Sequence, residues 1–530
     1  MRARLGLLLL SSVLAGMGGV APSTAAAPAF PECLPEGSAI VVGTVTCQMM
    51  PSAFLGAPAP FSYFVPPMCD PATDPARRCP TLYLLHGFGG DYRSMLGTGA
   101  APSAWVSALS SGPAGDPALG ESWTMSDPKT WVARDPIGFI LVAPHGETLP
   151  GGYGPVADVD GFWTDWNPRF ARDGDAQAYD TPPPRFESFL TDELIPYVES
   201  HLPAGSGREW RALAGTSLGG FGSYKDGLQH PDLFSSIGSV SGAHNFLFAP
   251  APDPVDAYVG GPGAPPFVPP AGLPYLTPPS VTSRVSLAAL PEQVRGFAAA
   301  FQVFGDPATD QAFYRGNMPR DLAMNARART AYPDFAQSLH IRGFVNDAIP
   351  RRAADFTNVP SYLTAQAFEG IVLPMNLEME AAFTIEDVPH TFEIHPGIHS
   401  GTYWNAYLRK QIEEQYARVR HPDGGGAPPP MPAIFDYRTI TKDFQIWGWS
   451  FSVAREPVEF LTLRAVGCLG MQLRGSGLVT VTVPASCGTG FHGSRTLTVD
   501  LGTSWPVDEP GGASAYFLYG HAAEIRLTPL

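Results

Sequence analysis

The sequence predicts a mainly parallel α/β sheet with helices on both faces, followed by a small all-β unit. Three observations carry this. Short apolar runs recur along the first four hundred residues, as in TLYLLHGFGG, GFILVAPHG, WRALAG, SSIGSVSGA and LHIRGFV, and most of them run into Gly- or Pro-containing turns. Between them, ESFLTDELIPYVESHL places Phe189, Leu190, Leu194, Ile195 and Val198 at helical spacing. From residue 433 onward the pattern changes to strict alternation, as in LVTVTVP and RTLTVDL, which reads as a small β-sandwich.

In chain order, the N-terminus comes first. Arg2 and Arg4 precede the apolar run LGLLLL, and small residues follow in PSTAAAPAF. That order predicts a signal peptide over 1–27, cleaved near Ala25 to Ala27, and a secreted or cell-envelope location. No later segment has 18 uninterrupted apolar residues, so no spanning helix is expected. AIVVGTV and FSYFV are β-like, and the five apolar runs then supply the core strands. FGSYKDGLQHPDLF and TYWNAYLRKQIEEQYARV read as helices, the second closing a catalytic unit over 28–420. FTIEDVPHTFEIHPG reads as a strand region. Residues 246–290 are Pro-rich and without periodicity, which marks an insertion. HPDGGGAPPPMP, over 421–432, reads as a linker to the accessory β unit 433–530.

Composition narrows the function classes. Hydrophobic residues make up 44% of the 530, enough for a large core, and Gly and Pro number 57 each, which calls for long irregular loops. The formal charge is −16, so a nucleic-acid partner is disfavoured, because phosphate binding needs a basic face. The six cysteines fall into three close pairs: Cys33 and Cys47, Cys69 and Cys79, Cys468 and Cys487. An exported chain favours disulfides within each pair. None has the spacing of a zinc site, so no metal is expected.

The chemistry centres on Gly215-Thr216-Ser217-Leu218-Gly219, a G-x-S-x-G pattern that follows an apolar strand and opens a helix. A nucleophile elbow needs that context, with small residues packed around a tight turn. Upstream, His86-Gly87-Phe88-Gly89-Gly90 ends the first core strand. An oxyanion hole needs two backbone N–H groups, here one from Leu218 and one from Phe88, with Gly89 as the alternative. His399, in PGIHSGTYW, lies on a loop before the last helix, where a general base can reach the strand ends; His395 and His390 are the local competitors. The acid should fall between the serine and the histidine in chain order. Asp347, just after the LHIRGFV strand, and Glu369, in QAFEGIVLP, are both candidates. Trp163, Asp165 and Trp166 could stack on and hydrogen-bond a sugar, and His86 is a further candidate substrate contact.

LYLLHGFGGD, FESFLTDELIPYV, AGTSLGGFGSY, HPDLFSSIGSVSGA and PGIHSGTYW together resemble the esterase D-like family. That family includes S-formylglutathione hydrolases, feruloyl esterases and the secreted mycolyltransferases of the antigen 85 group. The resemblance spans roughly residues 40 to 415 and implies an α/β-hydrolase fold. TDWNP followed by the FESFLTDEL helix is similar to the mycolyltransferase branch, where a Glu in a Phe-Leu-Glu-Gly setting precedes the His by about thirty residues. Ala367-Phe368-Glu369-Gly370 resembles that setting, so the resemblance implies a Ser217, Glu369, His399 triad and favours Glu369 over Asp347. The HGFGG turn departs from the transferases' Asp-Gly-Leu-Arg and is closer to the hydrolases. The function implied is a secreted serine ester hydrolase, or a related acyltransferase, acting without a cofactor on a small-molecule, lipid or sugar ester. The C-terminal unit is a candidate for cell-envelope or polysaccharide contact. A second class of reading is an inactive hydrolase fold, or a carbohydrate-binding surface protein.

Overall fold

The computed structural model describes residues 30–114, 127–153, 158–168, 182–245, 303–304, 311–329, 338–352, 355, 359–455, 458–491, 493–502 and 521–529. The signal-peptide expectation for 1–27 and the Pro-rich insertion 246–290 lie outside these residues.

Eight strands form the main sheet: β1 Thr46–Met50, β2 Ala59–Phe64, β3 Thr81–Leu85, β4 Ile140–Pro144, β5 Arg211–Thr216, β6 Ser236–Val240, β7 His340–Asn346 and β8 Thr391–His395. Their spatial order is β1-β2-β4-β3-β5-β6-β7-β8. β1 to β2 and β2 to β4 are antiparallel, and the remaining neighbours run parallel. This is an α/β-hydrolase-like sheet. Because alternate residues face opposite sides, each strand feeds two cores. Tyr83 and Leu85 pack with Leu190, Val198, Phe221 and Leu228 on one face. Leu82 and Leu84 pack with Trp105, Leu109, Leu408 and Ile412 on the other. The helices responsible are α1, a continuous run from Phe186–Ser188 through a π turn at Phe189–Leu194 to Ile195–His201; α2, Leu218–Gln229; α3, Val359–Ile385; and α4, Gly401–Tyr416.

Two sequence readings are corrected here. AIVVGTV forms no extended strand; the edge strand is β1, whose Cys47 bonds to Cys33. FTIEDV belongs to the end of α3 and the turn after it, and only Thr391–His395 is extended. The apolar spacing of α3 was masked by Pro374 within it. The other cysteines join as Cys69 to Cys79 and Cys468 to Cys487. No helix among the described residues is long and apolar enough to cross a membrane.

Beyond the main sheet lie β9 Ile434–Thr439, β10 Asp443–Ile446, β11 Trp449–Ala454, β12 Leu461–Gly467, β13 Gly470–Gly475, β14 Leu478–Thr482, β15 Thr496–Asp500 and β16 His521–Arg526. They make a four-stranded sheet, β10-β11-β14-β15, and a sheet ordered β16-β13-β12-β9. Phe451, Val481, Leu463 and Leu473, drawn from both sheets, share one apolar cluster. The second sheet does not end at β9. Its fifth strand is Ala328–Arg329, contributed from before residue 330, pairing antiparallel with Phe435 and Ile434.

The expected separation of 433–530 from the preceding unit is therefore incomplete. Asn325 is bonded to Arg438 through both its side-chain amide and its carbonyl oxygen, and the Tyr437 hydroxyl donates to the carbonyl of Gln229, the last residue of α2. The buried Asp436 carboxylate meets Arg327, Arg329 and Arg464. The β unit is thus seated on the C-terminal end of α2.

Candidate active site

Ser217 stands between β5 and α2 with φ 55° and ψ −120°, a left-handed backbone that non-glycine residues seldom adopt. The strain is held by a Ser217 N–H to Val240 carbonyl bond of 2.9 Å, and by Phe221 N–H donating to the Ser217 carbonyl. The flanking glycines are steric requirements. A Cβ on Gly215 would collide with the backbone of Gly219, and one on Gly219 with the Leu85 carbonyl. The turn projects the serine side chain past the carboxyl ends of the strands.

His399 Nε2 lies 2.8 Å from Ser217 Oγ, and His399 Nδ1 lies 2.7 Å from Glu369 Oε2. Glu369 is wholly buried on α3. Its other oxygen accepts from the Ser241 hydroxyl at 2.6 Å and from the Asn346 N–H at 2.7 Å. Those donors leave Oε2 for the imidazole. The Trp404 indole N–H donates to Ser241 Oγ at 3.0 Å, and its ring meets His399 edge-on at 4.9 Å. The Asn346 side chain holds the Ile398 carbonyl, and the His399 N–H donates to Ala365, so the loop carrying the histidine is fixed to β7 and α3.

The rival acid and bases lie elsewhere. Asp347 receives the N–H groups of Gly397 and Ile349 and pairs with Arg351 at 2.5 Å; it braces the loop before His399. His395 stacks on Tyr407 at 3.6 Å, and His390 faces the Val388 carbonyl.

The His86–Gly90 turn abuts the serine, since a Cβ on Gly87 would sit 3.1 Å from that of Ser217. Leu218 is the first residue of α2, so its N–H is one of the unpaired donors at the positive end of a helix. The Gly89 N–H is committed to Asp160, at 3.3 and 3.2 Å from its two carboxylate oxygens, which removes Gly89 as an oxyanion donor.

Of the four proposed substrate contacts, His86, Trp163 and Trp166 are buried and Asp165 is part-exposed. His86 is buried; its Nε2 accepts from the Gly146 N–H, so its Nδ1 carries the proton donated to the Gly87 carbonyl at 2.9 Å. Burial pushes its pKa down to about 4, so the ring is neutral. Trp163 and Trp166 are buried and donate to the carbonyls of His86 and Gly161. Asp165 accepts from the Ser188 N–H and hydroxyl and from Arg185. The buried Lys225 of α2 completes this packing, bridging the Trp163 carbonyl, Glu187 and Asp226. In sequence these aromatic and acidic residues cannot be told from a sugar-binding cluster; in the structure both tryptophans are packed in the core.

Ser241, Asn346 and Trp404 were not singled out from sequence. The available signal was position: Ser241 and Asn346 stand at the carboxyl ends of β6 and β7, where polar residues face the site. Among the described residues, no group of His, Cys, Asp and Glu side chains is arranged to hold a metal ion.

The protein thus carries an α/β-hydrolase-like sheet with a serine at its strand-to-helix elbow. Residues 154–270 match the family model described as putative esterase. The diacylglycerol acyltransferase/mycolyltransferase Ag85A of Mycobacterium leprae (strain TN) is 33% identical over 91 residues, 17% of this chain and 24% of that one. The chain thus spans about a quarter of that curated relative. Similar solved structures include an S-formylglutathione hydrolase from Agrobacterium tumefaciens, at 14% identity and TM-score 0.39, covering 72% of this chain and 97% of the other. Mycobacterium tuberculosis MPT51 is 14% identical, with a TM-score of 0.40, covering 72% and 100%.

Proposed function

We propose that this chain is a secreted serine carboxylic-ester hydrolase with Ser217 as nucleophile, His399 as general base and Glu369 as the acid that orients it. One observation carries the reading: an unbroken hydrogen-bond chain from a strained elbow serine through an imidazole to a buried carboxylate. With Nδ1 bonded to Glu369, His399 presents a lone pair at Nε2 to the serine hydroxyl. It takes the Ser217 proton as Oγ attacks the ester carbonyl, and Glu369 stabilises the resulting imidazolium. The Phe88 and Leu218 N–H groups receive the developing oxyanion. The imidazolium protonates the departing alcohol, leaving an acyl-serine. Water, deprotonated by His399, releases the acid. The scheme needs no metal or organic cofactor.

Export is supported by the signal-like N-terminus and by three bonded cysteine pairs. Residues 433–530 read as a sandwich-like accessory unit that could meet a cell-envelope polysaccharide. The second reading, transfer of the acyl group to a sugar or glycerol hydroxyl, is favoured by the likeness to the mycolyltransferase. Gly89 and Gly90, in place of bulkier residues, favour water as acceptor. The test is a panel of p-nitrophenyl esters from acetyl to palmitoyl, with and without about 50 mM trehalose or glycerol; water near 55 M wins unless an acceptor site positions the hydroxyl. Free acid as the main product is expected. Acylated acceptor in excess would establish transfer, and no turnover together with no fluorophosphonate labelling would refute both.

A further inference from the structure

We propose that Asp160 is a positioning residue for this reaction, its carboxylate holding the Gly89 N–H and so fixing the turn that aims the Phe88 N–H at the oxyanion. The inference rests on the ester-hydrolase reading of Ser217.

The argument begins with the peptide planes of the turn. Gly87's carbonyl is pinned twice, by the Gly90 N–H at 3.1 Å and by His86 Nδ1 at 2.9 Å. In a trans peptide the N–H points opposite to the C=O, so pinning that carbonyl sets the direction of the Phe88 N–H. The next peptide, between Phe88 and Gly89, is set by Asp160. Gly89 has φ +66°, and its N–H is shared between both Asp160 oxygens. His86 therefore holds the turn from one side and Asp160 from the other.

Asp160 is an expensive anchor. It is 3% exposed, and among the described residues its carboxylate is hydrogen-bonded by the Gly89 N–H. Burying a carboxylate costs stability unless it is paired. Glu147 lies across the bridge from it, Asp158 precedes it on its own segment, and His86 stands on the far side of the turn. Asp91 and Arg93, further along the loop, pair with each other. No cation is bonded to Asp160 among the described residues. Burial raises its pKa to about 7. The bond from Gly89 is strongest to the ionised carboxylate. The turn is thus held best above neutrality and loosens as pH falls.

Asp160→Ala and Asp160→Asn separate this from packing. The assays are kcat and KM on p-nitrophenyl butyrate from pH 5 to 9, and amide hydrogen exchange of the 86–92 segment. Removing an oxyanion donor outright costs about 10²–10³ in kcat, so a misaimed one should cost about 10- to 100-fold. Asp160→Ala should show that loss with KM within about threefold, and faster exchange at the turn. Asp160→Asn keeps an acceptor and should recover kcat to within about fivefold at pH 8. Its acid limb should fall with one ionisation, where the wild type falls more steeply. Unchanged kcat and exchange in Asp160→Ala, or equal impairment of both variants, would overturn the inference. Should Asp160→Ala fail to fold, a wild-type pH profile in Asp160→Asn overturns it alone. Those outcomes leave the reading of Ser217 standing. That reading falls separately if Ser217→Ala keeps its activity or if the wild type is inert, and the inference falls with it.

Discussion

Replacing Glu369 by Gln tests the assignment of the acid, and its consequence can be worked from three hydrogen bonds. Oε1 accepts from the Ser241 hydroxyl and the Asn346 N–H, and Oε2 faces His399 Nδ1. An amide fits this environment in one orientation. Its oxygen must take the Oε1 position, because both groups there donate. Its NH₂ then points at Nδ1, which must become the acceptor. The imidazole proton moves to Nε2, and Nε2 can no longer take the Ser217 proton. The chain of hydrogen bonds survives with its direction reversed. The expected loss in kcat/KM is therefore about 10⁴, equivalent to about 5.5 kcal/mol. Stability should fall by no more than about 1.5 kcal/mol, since no buried donor loses its partner. Glu369→Ala would instead strand Ser241 and Asn346 and cost several kcal/mol of stability, which is why Gln is the informative change. Hydrolysis of p-nitrophenyl butyrate at pH 8, with urea unfolding alongside, measures both quantities. Activity within tenfold of wild type would refute the reasoning. So would a larger loss in Asp347→Asn, which should stay within about threefold because an amide still accepts from Gly397 and Ile349.

Further expectations concern the nucleophile, the elbow, the docked β unit and acid stability. Ser217→Ala should lose about 10⁴ or more in ester hydrolysis and all fluorophosphonate labelling with an unchanged melting temperature; retained labelling would place the nucleophile elsewhere. Gly219→Ala forces a Cβ against the Leu85 carbonyl and should cost about 3 kcal/mol or prevent folding, read from soluble yield and urea midpoint. Asp436→Asn removes the charge facing Arg327, Arg329 and Arg464 and should cost about 3–5 kcal/mol; a change under about 1 kcal/mol would show the arginines are solvated. Burial lowers His86, His340 and His395 to about 4, and His145 and His244 to about 3. The unfolded chain protonates these rings near pH 6.5 and the folded protein does not, so stability is present above 6.5 and declines as pH falls toward 4, by about 1.4 kcal/mol per ring per pH unit at most. A flat urea midpoint across that window would contradict the burial.

What could be read from sequence was what depends on local pattern. The core strands are apolar runs, the elbow is a glycine-flanked serine, and the histidine stands on a short loop before an amphipathic helix. Where the chain folds back on itself, pattern is silent. Whether Glu369 or Asp347 meets His399 depends on α3 crossing behind β7, and Pro374 with a mixed apolar face conceals that helix. Trp163 and Trp166 have the composition of a ligand site and the burial of a core. Gly89 is the alternative oxyanion donor in sequence, and only the fold shows its N–H bonded to Asp160, seventy-one residues away. The GGGAPPP stretch signals a break, yet a two-residue strand at Ala328–Arg329 carries no periodicity that could announce its pairing with β9.

That two-residue strand has a consequence for the order of events as the chain is made. Ala328–Arg329 and the end of α2 wait for partners about a hundred and two hundred residues further on. At about 5–20 residues per second, roughly 5 to 20 s of synthesis separates Ala328 from Ile434. During that interval the serine-bearing helix has an open far end, and Arg327 and Arg329 have no Asp436 to meet. The nascent protein therefore reaches its finished state only when residues 434–438 have arrived to cover that end.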